Sequence, residues 1–114
     1  MGKHRNPWGG LPIDDLALKH VNPDGSPITV EQVARIALLP FYEFPANPDE
    51  PYYRNIAGWD ANNVPFEVGI NTARGRIVHC MALIERPNHV RVLDRDQPGW
   101  DSRNPAWRPQ GEQQ

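Results

Sequence analysis

One histidine and a few charged residues are the side chains in this sequence best placed to do chemistry. His79 lies in an apolar run, where strand alternation gives it Ile77 and Met81 as neighbours on the same face. The same alternation would bring Glu67 and Arg54 near it if the strand register allows. His79 is therefore either a functional group able to transfer protons or a half-buried histidine satisfied by a neighbouring backbone group or carboxylate.

Phosphate is the substrate group that the basic residues suit best. Arg54, Arg74 and Arg76 are the leading candidates for phosphate contact, because the planar guanidinium matches phosphate oxygens. The alternative for the two turn arginines, Arg74 and Arg76, is that they are simply solvated. Further basic side chains that could extend a nucleic-acid-binding surface are Lys19, His20, Arg86, His89 and Arg91. Each also has a structural explanation: a cation is favoured at a helix C-terminus, and charge on an edge strand discourages aggregation.

Metal and thiol chemistry have little support in the sequence. Its four histidines and one cysteine show no metal-ligand spacing and no HEXXH or CXXC pattern, so we expect no metal and no cofactor. Cys80 lies in an apolar strand, and His79 beside it points to the opposite face. We therefore expect Cys80 to be a small core side chain and not a nucleophile.

Size and charge fit one domain with a locally basic region. The 114 residues carry a formal net charge of −2, which argues against binding nucleic acid through bulk positive charge. From Asn71 to Arg95, however, five arginines stand against two acidic residues. The single cysteine and the lack of an apolar segment of the roughly 18 residues that span a bilayer lead us to expect a cytoplasmic protein with no membrane partner.

One helix is clearly marked in the N-terminal half. Thr29 and Gln32 have the form of a capping box ahead of an apolar stripe, and Pro40 places the helix end near Leu39. The residues expected to form its buried face are Val30, Val33, Ala34, Ala37 and Leu38. A shorter helical turn is expected to start at Asp14 and stop by residue 20.

The strand patterns predict a small sheet. They indicate a first strand over residues 52–58, an outer strand over 64–70, a central strand over 77–84 and a last meander strand over 89–93. The predicted fold is α+β, with one or two helices packed on a four-stranded, mainly antiparallel sheet.

Irregular segments are expected at both ends of the domain. We predict a flexible arm over residues 1–12, a single domain over 13–95, and a polar tail with proline and tryptophan over 96–114. Tryptophans in such segments suggest docking onto the domain or onto a partner protein. Those tryptophans are Trp8, Trp100 and Trp107.

The order of these elements resembles the BrnT-type toxins of the RelE-like superfamily, over about residues 15–84. In these toxins a Lys-His pair precedes a helix, and a meander packs on that helix. The matching positions are Lys19, His20, Val30 to Val33, Pro40, Asp49, Glu50, Arg54, Ile56, Gly58, Phe66 to Val68, Gly75, and Ile77 to Ala82.

This resemblance implies a small ribonuclease that uses no metal. A base takes the proton from a ribose 2′-hydroxyl, a cation stabilises the charge on phosphorus, and an acid protonates the leaving oxygen. The candidate catalytic residues are His79, Arg76, Arg54 and Glu67. A toxin of this kind would be neutralised by a protein partner, an antitoxin, that covers the sheet.

Two other functions remain open from the sequence. One is a non-catalytic interaction protein of the same fold, in which the tryptophan-bearing arms and the acidic loop from Glu43 to Glu50 bind a protein. The lack of a basic cluster after Ala82 favours it, whereas the local arginine surplus favours the ribonuclease. The other is a small-molecule enzyme with the sheet face as its pocket floor, which predicts a deep cavity around His79.

Overall fold

An antiparallel sheet carries one helix on one of its faces. The computed structural model describes residues 8–84 and 89–93. Along the chain come a 3-10 turn (Asp15–Leu18), α1 (Val30–Leu38), β1 (Tyr42–Glu43), β2 (Tyr53–Trp59), β3 (Pro65–Asn71), β4 (Arg76–Ala82) and β5 (Arg91–Val92). The strand order across the sheet is β4-β3-β2-β1-β5, with antiparallel neighbours throughout. The predicted α+β class is confirmed, and β1 is a short additional strand that the sequence patterns did not indicate.

Side-chain caps begin both helical segments where the sequence places them. The Asp14 carboxylate accepts a hydrogen bond from the Leu16 N–H at 3.2 Å and starts the 3-10 turn. At α1, the Thr29 hydroxyl accepts from the Gln32 N–H at 3.2 Å, and the Gln32 side-chain oxygen accepts from the Thr29 N–H at 2.9 Å. The predicted capping box is confirmed, and it satisfies donors that a helix N-terminus otherwise leaves open.

The buried face of α1 differs from the predicted stripe. The helix buries Val33, Ile36 and Ala37. Val30 and Leu38, expected inside, keep 48% and 56% of their surface exposed, and the predicted Ala34 is exposed as well. The observed face has the same 3 and 4 spacing but is rotated by about one residue. This rotation buries the large Ile36 in place of the small Ala34, which removes more apolar surface from water.

The main core lies between α1 and the sheet. Alternate residues of β3, Phe66, Val68 and Ile70, are fully buried on this side, as their alternation with Glu67 and Gly69 predicts. Buried residues of the same cluster from the other elements are Ala17, Ile28, Val33, Ile36, Ala37, Ile56, Ile77 and Cys80. Of the predicted N-terminal arm, Trp8 and Leu11 pack against this cluster.

Two strand positions differ from the predicted meander. The apolar run of β4 was expected in the centre of the sheet, but β4 is the edge strand. Its outer edge is covered by the N-terminal segment: the Ile77 N–H donates to the Pro12 carbonyl at 2.9 Å, and the Asp14 N–H donates to the Ile77 carbonyl at 2.8 Å. An edge covered in this way can be as apolar as a central strand.

The last strand also lies elsewhere than expected. β5 pairs with β1 at the far edge of the sheet and not with β4. Leu83, just after β4, and Val90, just before β5, both pack against a second buried cluster on the face that carries no helix. Buried residues of this second cluster are Phe41, Tyr42, Ala57 and Trp59.

Several predictions fall outside the described residues. Arg86, Trp100 and Trp107 are among the residues the structure does not describe, so their proposed roles stay predictions. The domain boundaries after residues 12 and 95 stay predictions too. Within residues 8–84 and 89–93, no helix is long and apolar enough to cross a membrane.

Candidate functional site

A histidine and a carboxylate meet on the sheet face opposite α1. In the strand register His79 lies across from Gly69, and Glu67 lies across from Met81. The His79 Nε2 and Glu67 Oε2 atoms are 2.8 Å apart, and their side chains are 24% and 18% exposed. The predicted proximity of His79 and Glu67 is therefore present. The pair is half-buried, which strengthens its hydrogen bond, yet it is open to solvent on one side.

A β-bulge in β4 sets which residues share this face. The register between β3 and β4 shifts between Gly69 and Ile70, so that His79 lies opposite Gly69 while Ile77 lies opposite Ile70. Val78 is the extra residue. Ile77 consequently faces the core, and the expectation that it shares a face with His79 is wrong. Beyond the bulge Arg76 pairs with Asn71, which places Arg76 on the His79 face.

Tyr53 is a site residue that the sequence analysis missed. A Cβ atom on Gly69 would overlap the Tyr53 hydroxyl and would lie 3.0 Å from the His79 Cβ. The phenol therefore occupies the space above Gly69, directly beside His79. Burial, followed by the negative charges of Glu67 and Glu50, raises the pKa of Tyr53, so the hydroxyl stays protonated at neutral pH. A glycine between apolar residues of a strand was the available signal, because it marks a close approach by another group.

A second histidine stands next to the first. The rings of His20 and His79 meet edge to face, with centroids 5.6 Å apart and an interplanar angle of 82°. His20 follows the 3-10 turn, which packs along β4. The four side chains His20, Tyr53, Glu67 and His79 are called the His79 cluster below.

Two arginines flank the cluster and share one carboxylate. Arg76 Nε lies 3.5 Å and Arg74 Nη2 lies 3.7 Å from the same Asp14 oxygen. The hydrogen bond from the Leu16 N–H, and then the charges of the two arginines, hold the pKa of Asp14 below its usual value. Two cations against one anion leave this corner of the sheet with a net positive charge.

The structure does not bring Arg54 to the cluster. Arg54 pairs with Ile70, a core residue, so it projects to the other face from His79. Its guanidinium binds Glu43 at 2.7 Å, and Arg91 binds the other Glu43 oxygen at 2.7 Å. Burial alone would raise the pKa of Glu43, but these two arginines outweigh it and hold the pKa below its usual value. Arg54 and Arg91 thus form a separate group around Glu43.

The remaining predicted basic residues lie apart from one another. Lys19 is exposed and caps the 3-10 turn next to His20. His89 is exposed with a positive φ of 58° and precedes β5, at the edge of the sheet far from β4. The predicted nucleic-acid-binding set therefore divides: Arg74, Lys19 and His20 lie at the β4 edge, whereas His89 and Arg91 lie at the β5 edge.

Cys80 belongs to the core, as expected. Its side chain is fully buried on the α1 side of β4, opposite Val68. Burial raises the pKa of this thiol to about 12. The thiolate, which is the reactive form, is therefore scarce at neutral pH. Among the described residues, no group of three or more His, Cys, Asp or Glu side chains is placed to hold a metal ion.

A cavity of about 550 Å³ lies at the N-terminus of α1, away from the His79 cluster. Gln32 connects its walls: its Nε2 donates to Asn22 at 2.7 Å and to the buried Asp60 at 3.0 Å. Asp60 in turn accepts from the Asn62 and Val64 N–H groups. This network joins the turn before β3 to the helix cap. None of the residues that line this cavity belongs to the His79 cluster. It is therefore not the deep cavity around His79 that a small-molecule enzyme would need.

Comparisons with known proteins give no assignment for the site. No family model, no curated protein and no solved structure matches this chain.

Proposed function

We propose that this protein is a small ribonuclease of the RelE-like or BrnT-like kind that cleaves RNA without a metal ion. The observation that supports it most directly is the 2.8 Å contact between His79 Nε2 and Glu67 Oε2, a half-buried pair that reaches solvent on the sheet face opposite α1. A histidine oriented by a carboxylate is a common way to make a general base.

The Glu67 contact determines which nitrogen of His79 is available. Because the carboxylate accepts the Nε2–H, the neutral ring keeps its lone pair on Nδ1. Nδ1 then takes the proton from a ribose 2′-hydroxyl. The negative charge of Glu67 stabilises the imidazolium that results, and the neighbouring Tyr53 hydroxyl can donate a hydrogen bond to substrate oxygens.

Arg76 supports the phosphate part of this chemistry. It shares the face of His79 because of the β4 bulge, and Arg74 adds a second cation at the same corner. Since Asp14 neutralises only one of these two charges, a phosphodiester that carries one negative charge is attracted there. Arg54 is left out of the catalytic set because it projects to the other face.

A protein partner that neutralises the ribonuclease is part of the same proposal. Apolar side chains close to His20 in the sequence are exposed, with Leu16 at 54% and Val21 at 55%. Exposed apolar residues beside a charged site are typical of a surface that another protein covers. The same observation favours the second candidate function, a non-catalytic interaction protein of this fold.

Controlled expression in a bacterium tests the proposal. Induction of the wild-type chain should stop growth and fragment total RNA, and His79→Asn should abolish both effects while the purified variant keeps its melting temperature. A matched pair of substitutions refines the test: Glu67→Gln should relieve growth arrest, whereas Glu31→Gln, on the exposed side of α1, should not. Healthy growth with intact RNA on wild-type induction would reject the ribonuclease and leave the interaction protein.

A further inference from the structure

From the contact between the two histidine rings we infer that His20 is the general acid of the reaction and donates the proton to the leaving 5′-oxygen. This inference rests on the proposed ribonuclease function and assigns a catalytic role to a residue that the sequence suggested only for nucleic-acid binding. The two rings lie on the same face, 5.6 Å apart between centroids and nearly perpendicular. At this separation both rings can reach oxygens of one phosphate group.

The position of His20 is fixed by the fold. The segment before it is hydrogen-bonded to both backbone groups of Ile77 in β4: the Pro12 carbonyl accepts from the Ile77 N–H, and the Asp14 N–H donates to the Ile77 carbonyl. Ala17 of the 3-10 turn is fully buried in the main core. Because the turn is held at both its cap and its buried face, His20 is held in place against the bulged strand. A catalytic group needs this kind of rigid support.

The partners of the two histidines assign different roles to them. Glu67 accepts a hydrogen bond from His79 and leaves that ring a free lone pair, as a base requires. Within residues 8–84 and 89–93, no carboxylate contacts His20, and its ring meets the His79 ring edge to face. His20, which is half-buried, therefore has no carboxylate among these residues to hold its proton, and in this proposal it gives that proton to the substrate, as an acid requires.

The reaction balances without an oxidant, a metal or a second substrate. His79 takes the proton from the 2′-hydroxyl as the 2′-oxygen forms a bond to phosphorus. The bond from phosphorus to the 5′-oxygen breaks, and His20 gives that oxygen its proton. The products are an RNA end with a 2′,3′-cyclic phosphate and an RNA end with a 5′-hydroxyl. Proton exchange with water restores both rings.

A substrate whose leaving group needs no proton tests this assignment. We compare a short RNA with a single cleavable linkage, in its normal form and with sulfur replacing the bridging 5′-oxygen, since a thiolate leaves without protonation. On the normal RNA, His20→Asn and His79→Asn should each lower the cleavage rate by on the order of 100-fold or more. On the sulfur substrate, His20→Asn should return to within a few-fold of wild type, whereas His79→Asn should stay slow. Asp15→Asn, an exposed change in the same 3-10 turn, is the control.

The outcomes separate failure of this inference from failure of the proposed function. Suppose that wild type cleaves the normal RNA. His20 is then not the acid if His20→Asn is as slow on the sulfur substrate as on the normal RNA, or if it is as fast as wild type on both. If wild type cleaves neither substrate, the ribonuclease function itself is wrong and the assignment falls with it. Recovery of cleavage on the sulfur substrate also shows that His20→Asn is folded. His20→Gln, measured in parallel, guards against an effect peculiar to asparagine.

Discussion

At the scale of single residues, the geometry of the His79 cluster depends on the strands and the N-terminal turn that carry its side chains. Glu67 and His79 lie on the neighbouring strands β3 and β4, which brings their side chains within hydrogen-bonding distance. Both are half-buried, and a charged hydrogen bond is stronger there than at a fully exposed position. Sequence alternation indicates this pair correctly. It cannot indicate His20, since a ring contact between the N-terminal turn and β4 depends on how the turn packs against the sheet edge.

Gly69 is the residue whose replacement should disturb the cluster most directly. An alanine there would place its Cβ where the Tyr53 hydroxyl lies, so Gly69→Ala should lower the free energy of unfolding by about 1–3 kcal/mol, as overpacked sites do. Urea denaturation measures this loss. In a Tyr53→Ala background the same change should cost much less, because the overlapping group is gone. An equal cost in both backgrounds would mean that Tyr53 does not occupy this space.

Cys80 should be inert in the folded protein. With its pKa raised to about 12, nearly all of the thiol is protonated at pH 8, and burial blocks access to it. Ellman's reagent should therefore react slowly with the native protein at pH 8 and rapidly after unfolding in guanidinium chloride. Rapid reaction of the native protein would contradict the burial of β4 against α1.

At the scale of elements, the helix caps and the contacts between strands should contribute measurably to the free energy of unfolding. Thr29→Ala removes half of the capping box at α1 and should cost about 1 kcal/mol, the usual value for an N-cap. Thr72→Ala, an exposed change in the turn after β3, is the matched control and should cost clearly less. Urea denaturation of both variants checks the prediction, and equal losses would count against the cap.

Glu43 should make stability depend on pH on the acid side. It joins β1, β2 and β5 through Arg54 and Arg91, which hold its pKa below the usual 4.5. A carboxyl with a lowered pKa in the folded state stabilises the protein above its ordinary pKa, and this contribution is lost as the pH falls through the folded value. The difference in unfolding free energy between wild type and Glu43→Gln should therefore be largest near neutral pH and should shrink below about pH 4.5. A difference that stays constant down to pH 3 would contradict the ion pairs.

The bulge in β4 is the element-scale feature that most affects the site. Strict alternation would put Arg76 and His79 on opposite faces, and the one extra residue puts them on the same face. The local sequence offers no glycine or proline inside β4 to mark the bulge, which is why the alternation pattern wrongly grouped Ile77 with His79.

At the scale of the whole molecule, local signals predicted the elements well and their arrangement less well. Caps, prolines and alternation located α1, β2, β3 and β4 to within a few residues. They missed β1, which has only two residues between prolines, and they misplaced β5, because pairing with β1 is a long-range contact. The edge position of β4 was hidden because residues 12–14 cover that edge and allow it to be apolar.

The candidate site shows the same division between local and long-range information. Residue types and strand parity were enough to single out His79 and Glu67, whereas Arg76 was suggested by its residue type alone and reaches their face only through the bulge. The exclusion of Arg54, and the inclusion of Tyr53 and His20, depend on register and tertiary packing that no local pattern encodes. The positive corner and the two histidines are the features on which we base the proposal of phosphodiester cleavage.

The most direct test of this proposal is cleavage of RNA by the purified protein in the presence of EDTA, beside His79→Asn purified in the same way. We expect the wild-type protein to cut single-stranded RNA with EDTA present and to leave 2′,3′-cyclic phosphate ends, and we expect His79→Asn to be slower by on the order of 100-fold or more at unchanged melting temperature. Intact RNA after incubation with the folded wild-type protein, or equal cleavage by the variant, would contradict the central claim.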